Sequence, residues 1–442
     1  MSWAKQEFSG LDLGDKRRTD RVIKIVDDLS GNPRASLPQA CGGWAETKAA
    51  YRLLDNPALD WRELLEVHTQ RTVERAQGQA VVLCLQDTTE LDFTSQPGIA
   101  GLGRLSYEAQ HGMYLHPTLA VTPAGVALGA VDAWMWARKP KGEADIKESE
   151  RWVEGYGVVA DLAEQLPETR VVYVADRAGD IRALMDEAAR RGEAADWLVR
   201  AQHNRNTTLG QKVWDRLGRG EALGEIEFWL PAAPGREARR VRQCRYQERV
   251  TLPAHQGKPA VSVTAILARE QDPPTGVKPI VWRLLSNRLA ETLEQVVELV
   301  SWYRRRWLIE IFFRILKSGC AVEALQLGTL ERLERALVLY LIVAWRVLHL
   351  VTWGRECPQL PCEVMFDPEE WQAAWIVAHR APPPPSPPSL GQMTRLVAGL
   401  GGFLGRKSDG EPGPKALWTG MQRVREFALA LEASRVAFAE EG

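Results

Sequence analysis

Apolar residues recur at helical spacing through the first part of the chain. Arg17 to Asp28 and Trp44 to Leu54 each carry them at that period, and Gly31, Asn32 and Pro33 break the first of these helices. The period then changes. Ala80 to Gln86 is a continuous apolar run of strand length, which predicts a central strand buried on both faces and ending at Asp87. Leu115 to Val121 and Val126 to Trp136 read as two further strands around a Pro-Ala-Gly turn. Glu148 to Gln165 reads as a helix. Arg170 to Ala175 is a second buried strand, ending at Asp176. A helix capped by Asp180 runs to Arg191, and Trp197 to Ala201 is another strand.

From about 205 to 285 the pattern is β-strands between Pro- and Gly-containing turns, with an arginine-rich stretch from Arg236 to Arg249. Ile280 to Ser286 is the last strand, and Leu293 to Lys317 reads as one long helix, with more helix to Gly354. Ala381 to Ser389 is extended polyproline, a semi-rigid spacer before a final helical unit at about 390–440. There is no internal repeat. The order of elements specifies a mixed α/β sheet covered by helices and interrupted by a β-rich insert.

Composition narrows the classes. A chain of 442 residues predicts two or three domains. The net charge of −1 gives no bulk signal for nucleic acid, so any DNA contact must come from local patches such as Lys16, Arg17, Arg18, Arg21 and Lys24. The 6 cysteines are scattered, as suits a reducing compartment, and Cys357 and Cys362 lack a second pair at zinc spacing. The N-terminal residues hold no apolar core of signal-peptide length, and Arg346 and His349 interrupt the apolar run from Ala336 to Val351, so that run reads as a buried core helix. The expectation is a cytoplasmic, nucleoid-associated protein with no membrane partner.

The chemistry lies in three carboxylates. Asp87 and Asp176 each follow a buried strand, and if the strands are neighbours both emerge at one edge of the sheet, where open α/β sheets place their sites. Two such carboxylates repel, and a divalent cation such as Mg²⁺, which prefers oxygen ligands, relieves this. Each aspartate alone also reads as an ordinary turn or cap residue. Glu310 sits in Trp302 to Lys317, where Tyr303, Arg306, Glu310 and Lys317 fall within about 60° on a helix of 100° per residue. Trp307 and Arg314 lie on that side, and Leu308, Ile309, Phe312, Ile315 and Leu316 form the opposite, core-facing stripe. A solvated face with i,i+4 ion pairs explains the charges. A carboxylate set in a phosphate-binding surface explains the exposed rings as well. Both readings stand at this point.

The spacing Tyr303-x2-Arg306-x3-Glu310-x6-Lys317 resembles the signature of the insertion-sequence-four family of bacterial transposases. Nearly the whole chain shares the resemblance. Leu85 to Glu90 and Val174 to Asp180 are similar to the family's two aspartate motifs, and Lys147 to Ser149 to the segment between them. Trp3 to Lys5 and Leu13 to Thr19 resemble its N-terminal DNA-binding region. Leu400 to Phe403 and Leu417-Trp418 resemble its C-terminal dimerisation region. Trp282, twenty-one residues ahead of Tyr303, matches the family's tryptophan that receives a flipped base, although with 17 tryptophans in the chain core packing is the plain alternative. Two features depart from the pattern: the basic position between Glu and Lys is Arg314, and the proline run is additional.

The resemblance implies a ribonuclease-H-like mixed sheet flanked by helices. It implies a helical DNA-binding domain at 1–75, a catalytic core at 76–370 with a β-strand insertion at about 205–278, a linker at 381–389 and a helical dimerisation domain at 390–442. It implies an Asp87, Asp176, Glu310 site that holds Mg²⁺, with Mn²⁺ as a substitute, and performs cut-and-paste transposition through a hairpin. Tyr303, Arg306, Arg314, Lys317, Trp307 and Trp282 would bind the distorted DNA, and Arg17, Arg18, Arg21 and Arg200 are further contacts. The partners implied are double-stranded transposon ends with inverted repeats, target DNA and a second copy of the chain when DNA is bound. A metal-dependent endonuclease without strand transfer and a catalytically silent DNA-binding inhibitor are the alternatives. A glycoside hydrolase with paired carboxylates would need no basic face around Glu310.

Overall fold

The structure is a computed structural model and describes residues 2–140, 142–143, 147–230 and 237–438. Its strands are β1 (Val81–Gln86), β2 (Thr89–Asp92), β3 (Gly103–Arg104), β4 (His111–Val121), β5 (Ala127–Trp136), β6 (Arg170–Ala175), β7 (Asp196–Arg200), β8 (Gly224–Leu230), β9 (Arg239–Leu252), β10 (Val261–Glu270) and β11 (Val281–Ser286). The chain forms two compact units that interleave along the sequence. One comprises Met1–Arg75, Thr88–Asp145 and Leu308–Gly442, and the other Ala76–Asp87 and Ile146–Trp307.

The second unit contains the sheet order β1-β6-β7-β11-β10-β9-β8. β1, β6 and β7 run parallel, and the remaining pairs are antiparallel. The Val- and Leu-rich runs of β1 and β6 are buried along their length, as parallel strands covered on both faces must be. Helix Glu148–Gln165 packs on both strands. Its Gly155 is required there: a Cβ at that position would stand 2.2 Å from the buried side-chain amide of Gln86, the residue before Asp87.

The insertion is β8 to β10, with a short helix Val213–Leu217 that the strand pattern did not predict. Three of the arginines of β9 are paired with acids on β8, on β10 and just after β10. Arg239 pairs with Glu270, Arg240 with Glu227, and Arg242 with Asp272 and Glu225. Arg249 donates to Thr264 and to the carbonyl of Asn287. Arg236 lies outside the described residues.

In the first unit β4 pairs with β2, β3 and β5. Its core is helix Leu330–Glu356, which packs on β5 and on helices Lys16–Gly31, Leu390–Leu400 and Pro414–Phe438. That helix is long and apolar enough to cross a membrane by composition, yet it is buried within its unit. Its two polar interruptions are accommodated inside: His349 Nδ1 lies 2.6 Å from the carbonyl of Ala127, and Arg346 donates to Ser30 Oγ at 2.8 Å. The proline run does not stand clear of its unit. The Cys362 N–H donates to the carbonyl of Pro388, and Leu390 N–H to that of Leu360.

Candidate active site

Gln86 of β1 and Ala175 of β6 are register partners in a parallel pair, so Asp87 and Asp176 leave the same edge of the sheet on strands about 4.8 Å apart. Both are half-buried. Asp176 serves as a cap: its Oδ1 accepts from the N–H of Ala178 at 2.8 Å and holds a 3-10 turn, Arg177–Gly179. A Cβ on Gly179 would meet that of Ala175 at 2.6 Å and the ring of Trp152 at 3.3 Å, which keeps the turn tight on the strand below.

Basic and aromatic residues gather at this edge. Arg200 ends β7, and its register partner in β11 is Leu284, which places Trp282 beyond the end of β7 on the same edge. The rings of Trp282 and Tyr303 meet edge to face, 6.4 Å apart at 65°. Tyr303 was expected on an exposed face but is only 6% exposed. Burial pushes its hydroxyl pKa up, and the charges of Arg306 and Arg200 pull it back. Arg306 Nη1 lies 2.8 Å from Asp87 Oδ2, with both side chains largely shielded from water. Asp87, Asp176, Arg200, Trp282, Tyr303 and Arg306 therefore all belong to the second unit and its strand-end edge.

Among the described residues no three His, Cys, Asp or Glu side chains are grouped closely enough to cage a metal unaided. The two in-register carboxylates nonetheless suit a hard divalent ion. Mg²⁺ is commonly held by one or two carboxylates, with waters and substrate phosphates completing the shell. In the free protein Arg306 provides the positive charge beside Asp87.

The signature helix is not continuous. It runs Leu293–Arg305, breaks at Arg306, resumes as Trp307–Arg314 and ends in a π-turn, Ile315–Gly319. The Cys320 N–H donates to the carbonyl of Ile315, an i to i+5 bond. Such a turn advances less than 100° per residue, so Lys317 departs from the angle an α-helix would give it. Trp307, in the second unit, is 61% exposed. Glu310, Arg314 and Lys317 belong to the first unit. Glu310 is half-buried and Arg314 exposed, and Lys317 lies 3.6 Å from Glu323.

Arg17, Arg18 and Arg21 lie on helix Lys16–Gly31 of the first unit, whose N-cap is Asp15. Lys16, Arg21 and Lys24 are paired with Asp20, Glu46 and Asp28, so among the described residues Arg17 and Arg18 are the members of this cluster without an ion pair.

Two features escaped the sequence pattern. Trp44 is 80% exposed at the start of helix Trp44–Leu54, on the face that also shows Lys48, Tyr51 and Arg52. Aromatics at i and i+7 with a lysine at i+4 between them, Trp44, Lys48 and Tyr51, are the signal that would have found it. Asp180, expected to cap the helix that follows, is 1% exposed, and Ile181 takes the N-cap of Arg182–Arg190. Its partners are distant in sequence, and no local signal marks them.

Comparison with known families agrees with this geometry. Residues 1–59 match the transposase DNA-binding family, 156–346 the transposase DDE domain and 342–442 the transposase Tn5 dimerisation domain. Asp176, Glu310, Arg306 and Lys317 fall inside the DDE match, and Asp87 precedes it. The DDE domain carries a ribonuclease-H-like fold and divalent-metal-dependent DNA cleavage and strand transfer, and the flanking domains bind DNA and form a homodimer. The chain belongs to the Tn5-like, insertion-sequence-four family of DDE transposases.

Proposed function

We propose that this transposase excises its element by a cut-and-paste route through a hairpin and joins the freed ends to target DNA. The observation that carries the reading is the pair Asp87 and Asp176 in register at one strand-end edge, with Arg306 on the first and the Trp282–Tyr303 pair beside them. Asp87, Asp176 and Glu310 would hold two Mg²⁺ ions, with Mn²⁺ as a substitute. Metal held there would supply activation of the attacking oxygen and stabilisation of the leaving one.

Water attacks the phosphorus at the element end, the bond to the 3′ oxygen breaks, and a 3′-hydroxyl is released. That hydroxyl attacks the opposite strand, forming a hairpin and releasing the flanking DNA. Water opens the hairpin, and the same hydroxyl then attacks a target phosphodiester.

Trp282 supplies an aromatic platform for a base expelled from the bent end. Tyr303, Arg306, Arg314 and Lys317 clamp the distorted phosphates, while Arg17, Arg18 and Arg21 contact the inverted repeats and Arg200 the DNA near Asp176. The exposed ring of Trp307 is a second stacking surface. The homodimer holds two ends together, and the substrate places the enzyme at the cytoplasmic nucleoid.

A strand-transfer assay separates this reading from that of a plain endonuclease. Precut duplex ends bearing the element's inverted repeats are incubated with the protein, Mg²⁺ and supercoiled plasmid. Joined products are expected; no joining, with uncut ends cleaved in a parallel reaction, would favour the endonuclease, and binding without either reaction the silent inhibitor.

A further inference from the structure

Asp180 is buried with no solvent contact at its carboxylate, yet it is one of the most heavily bonded side chains in the second unit. Its Oδ2 accepts from the backbone N–H groups of Gln202 and His203, at 2.7 and 3.0 Å. Its Oδ1 accepts from Arg205 Nη1 at 2.5 Å, and its backbone carbonyl from Arg205 Nη2 at 2.7 Å. One guanidinium therefore grips both the side chain and the main chain of a single residue. A carboxylate this deep is tolerated only when paired and hydrogen-bonded, and here all its partners are donors.

The bonds join two segments of the active edge. Asp180 closes the 3-10 turn that Asp176 caps from the other end, and its own N–H donates to the carbonyl of Arg177. Gln202 to Arg205 is the segment that leaves β7 just after Arg200. That segment is anchored in turn on helix Val213–Leu217: Trp214 donates its backbone N–H to Asn204 Oδ1 and its indole N–H to the carbonyl of His203. The turn carrying Asp176 is thus fixed below by Gly179 packed on Ala175 and Trp152, and laterally by Asp180.

We infer that Asp180 and Arg205 are a positioning pair that holds Asp176 and the post-β7 segment in the fixed relation the phosphoryl-transfer site requires. The inference rests on the reading of Asp176 as a metal ligand. It assigns a role to the second aspartate of the Asp-Arg-Ala-Gly-Asp segment that is separate from binding metal. Asparagine cannot replace it in full, because its amide NH₂ would face the donors of Arg205 or of the backbone. Groups that orient a metal ligand from behind typically change metal affinity by about 10- to 100-fold when altered.

The test uses the full chain without DNA and Mn²⁺ alone as the probe, reading bound ion by the loss of the free Mn²⁺ paramagnetic signal, with thermal melting alongside. Wild type, Asp176→Ala, Asp180→Asn and Arg205→Lys are compared. Asp180→Asn is expected to weaken Mn²⁺ binding by roughly 10- to 100-fold. Arg205→Lys, which keeps charge but loses the fork, should weaken it less, and it carries the test should Asp180→Asn not fold. Mn²⁺ binding unchanged in whichever of the two variants folds, with Asp176→Ala impaired, would overturn the positioning role alone and leave only a contribution to stability. Equal binding by wild type and Asp176→Ala would overturn the metal-ligand reading, and the inference with it.

Discussion

Replacing Arg306 by glutamine has opposite consequences for metal binding and for catalysis. Arg306 Nη1 stands 2.8 Å from Asp87 Oδ2, and the side chains are 13% and 20% exposed. A hydrogen bond to a charged group contributes about 1.5–3 kcal/mol net. A cation binding at Asp87 must offset that interaction and also the repulsion of the guanidinium. Taking the lower half of that range, removing Arg306 is expected to tighten Mn²⁺ binding to the DNA-free protein by roughly 10-fold or somewhat more, since each 1.4 kcal/mol is a factor of ten. When an element end is bound, the phosphate takes up Arg306 and Asp87 becomes available, so the advantage of the variant should vanish. The cleavage rate should fall, because a phosphate contact is lost. Mn²⁺ titrations of wild type and Arg306→Gln, with and without a duplex end, measure both effects. Unchanged or weaker Mn²⁺ binding by the DNA-free variant would show that Arg306 does not compete with metal for Asp87.

Other expectations are as specific. Trp282→Ala should nick ends normally but form hairpins about 5- to 100-fold more slowly, as loss of one base-stacking platform implies, with Trp282→Phe in between; equal loss of nicking on a denaturing gel would assign Trp282 to packing instead. Helices Leu390–Leu400 and Pro414–Phe438 cross at glycine: a Cβ on Gly420 would stand 1.8 Å from the carbonyl of Val397, and one on Gly401 equally close to that of Ala416. Gly420→Ala should cost about 3 kcal/mol and lower the melting temperature; an unaltered melting temperature would count against this packing. Thermal stability should fall as pH drops below 6.5. Burial, helped by the charge of Arg75, lowers the His349 pKa to about 4, and burial lowers that of His68 as well. The fold favours both imidazoles neutral, so their contribution is complete above the unfolded value and is lost as pH falls toward the folded one. For His349 this is about 2 kcal/mol by pH 5. A flat melting profile from pH 7 to 5 would contradict it.

The strand ends were legible because burial on both faces leaves a simple mark. β1 and β6 are largely apolar runs, and each stops one residue before an aspartate of the proposed site. Helix Glu148–Gln165 has the bounds its period predicts. What was not legible depends on partners distant in the chain. An aspartate before a helix looks like a cap, and only the folded backbone brings Gln202, His203 and Arg205 to Asp180. The Arg-rich β9 looks basic, but acids on β8, on β10 and after β10 balance much of it. Tyr303 falls on the polar side of a helical wheel, yet Trp282 from another element covers it. The π-turn after Arg314 depends on hydrogen-bond register, which residue type alone does not specify.

We propose that Asp87, Asp176 and Glu310 drive one metal-dependent site through nicking and hairpin formation. The most direct measurement incubates a plasmid carrying the flanking inverted repeats with purified protein and Mg²⁺ or Mn²⁺, beside Glu310→Ala, and resolves the products on denaturing gels. Hairpin-ended excised DNA is expected from the wild type only. Nicks without hairpins, or hairpins from Glu310→Ala, would contradict it.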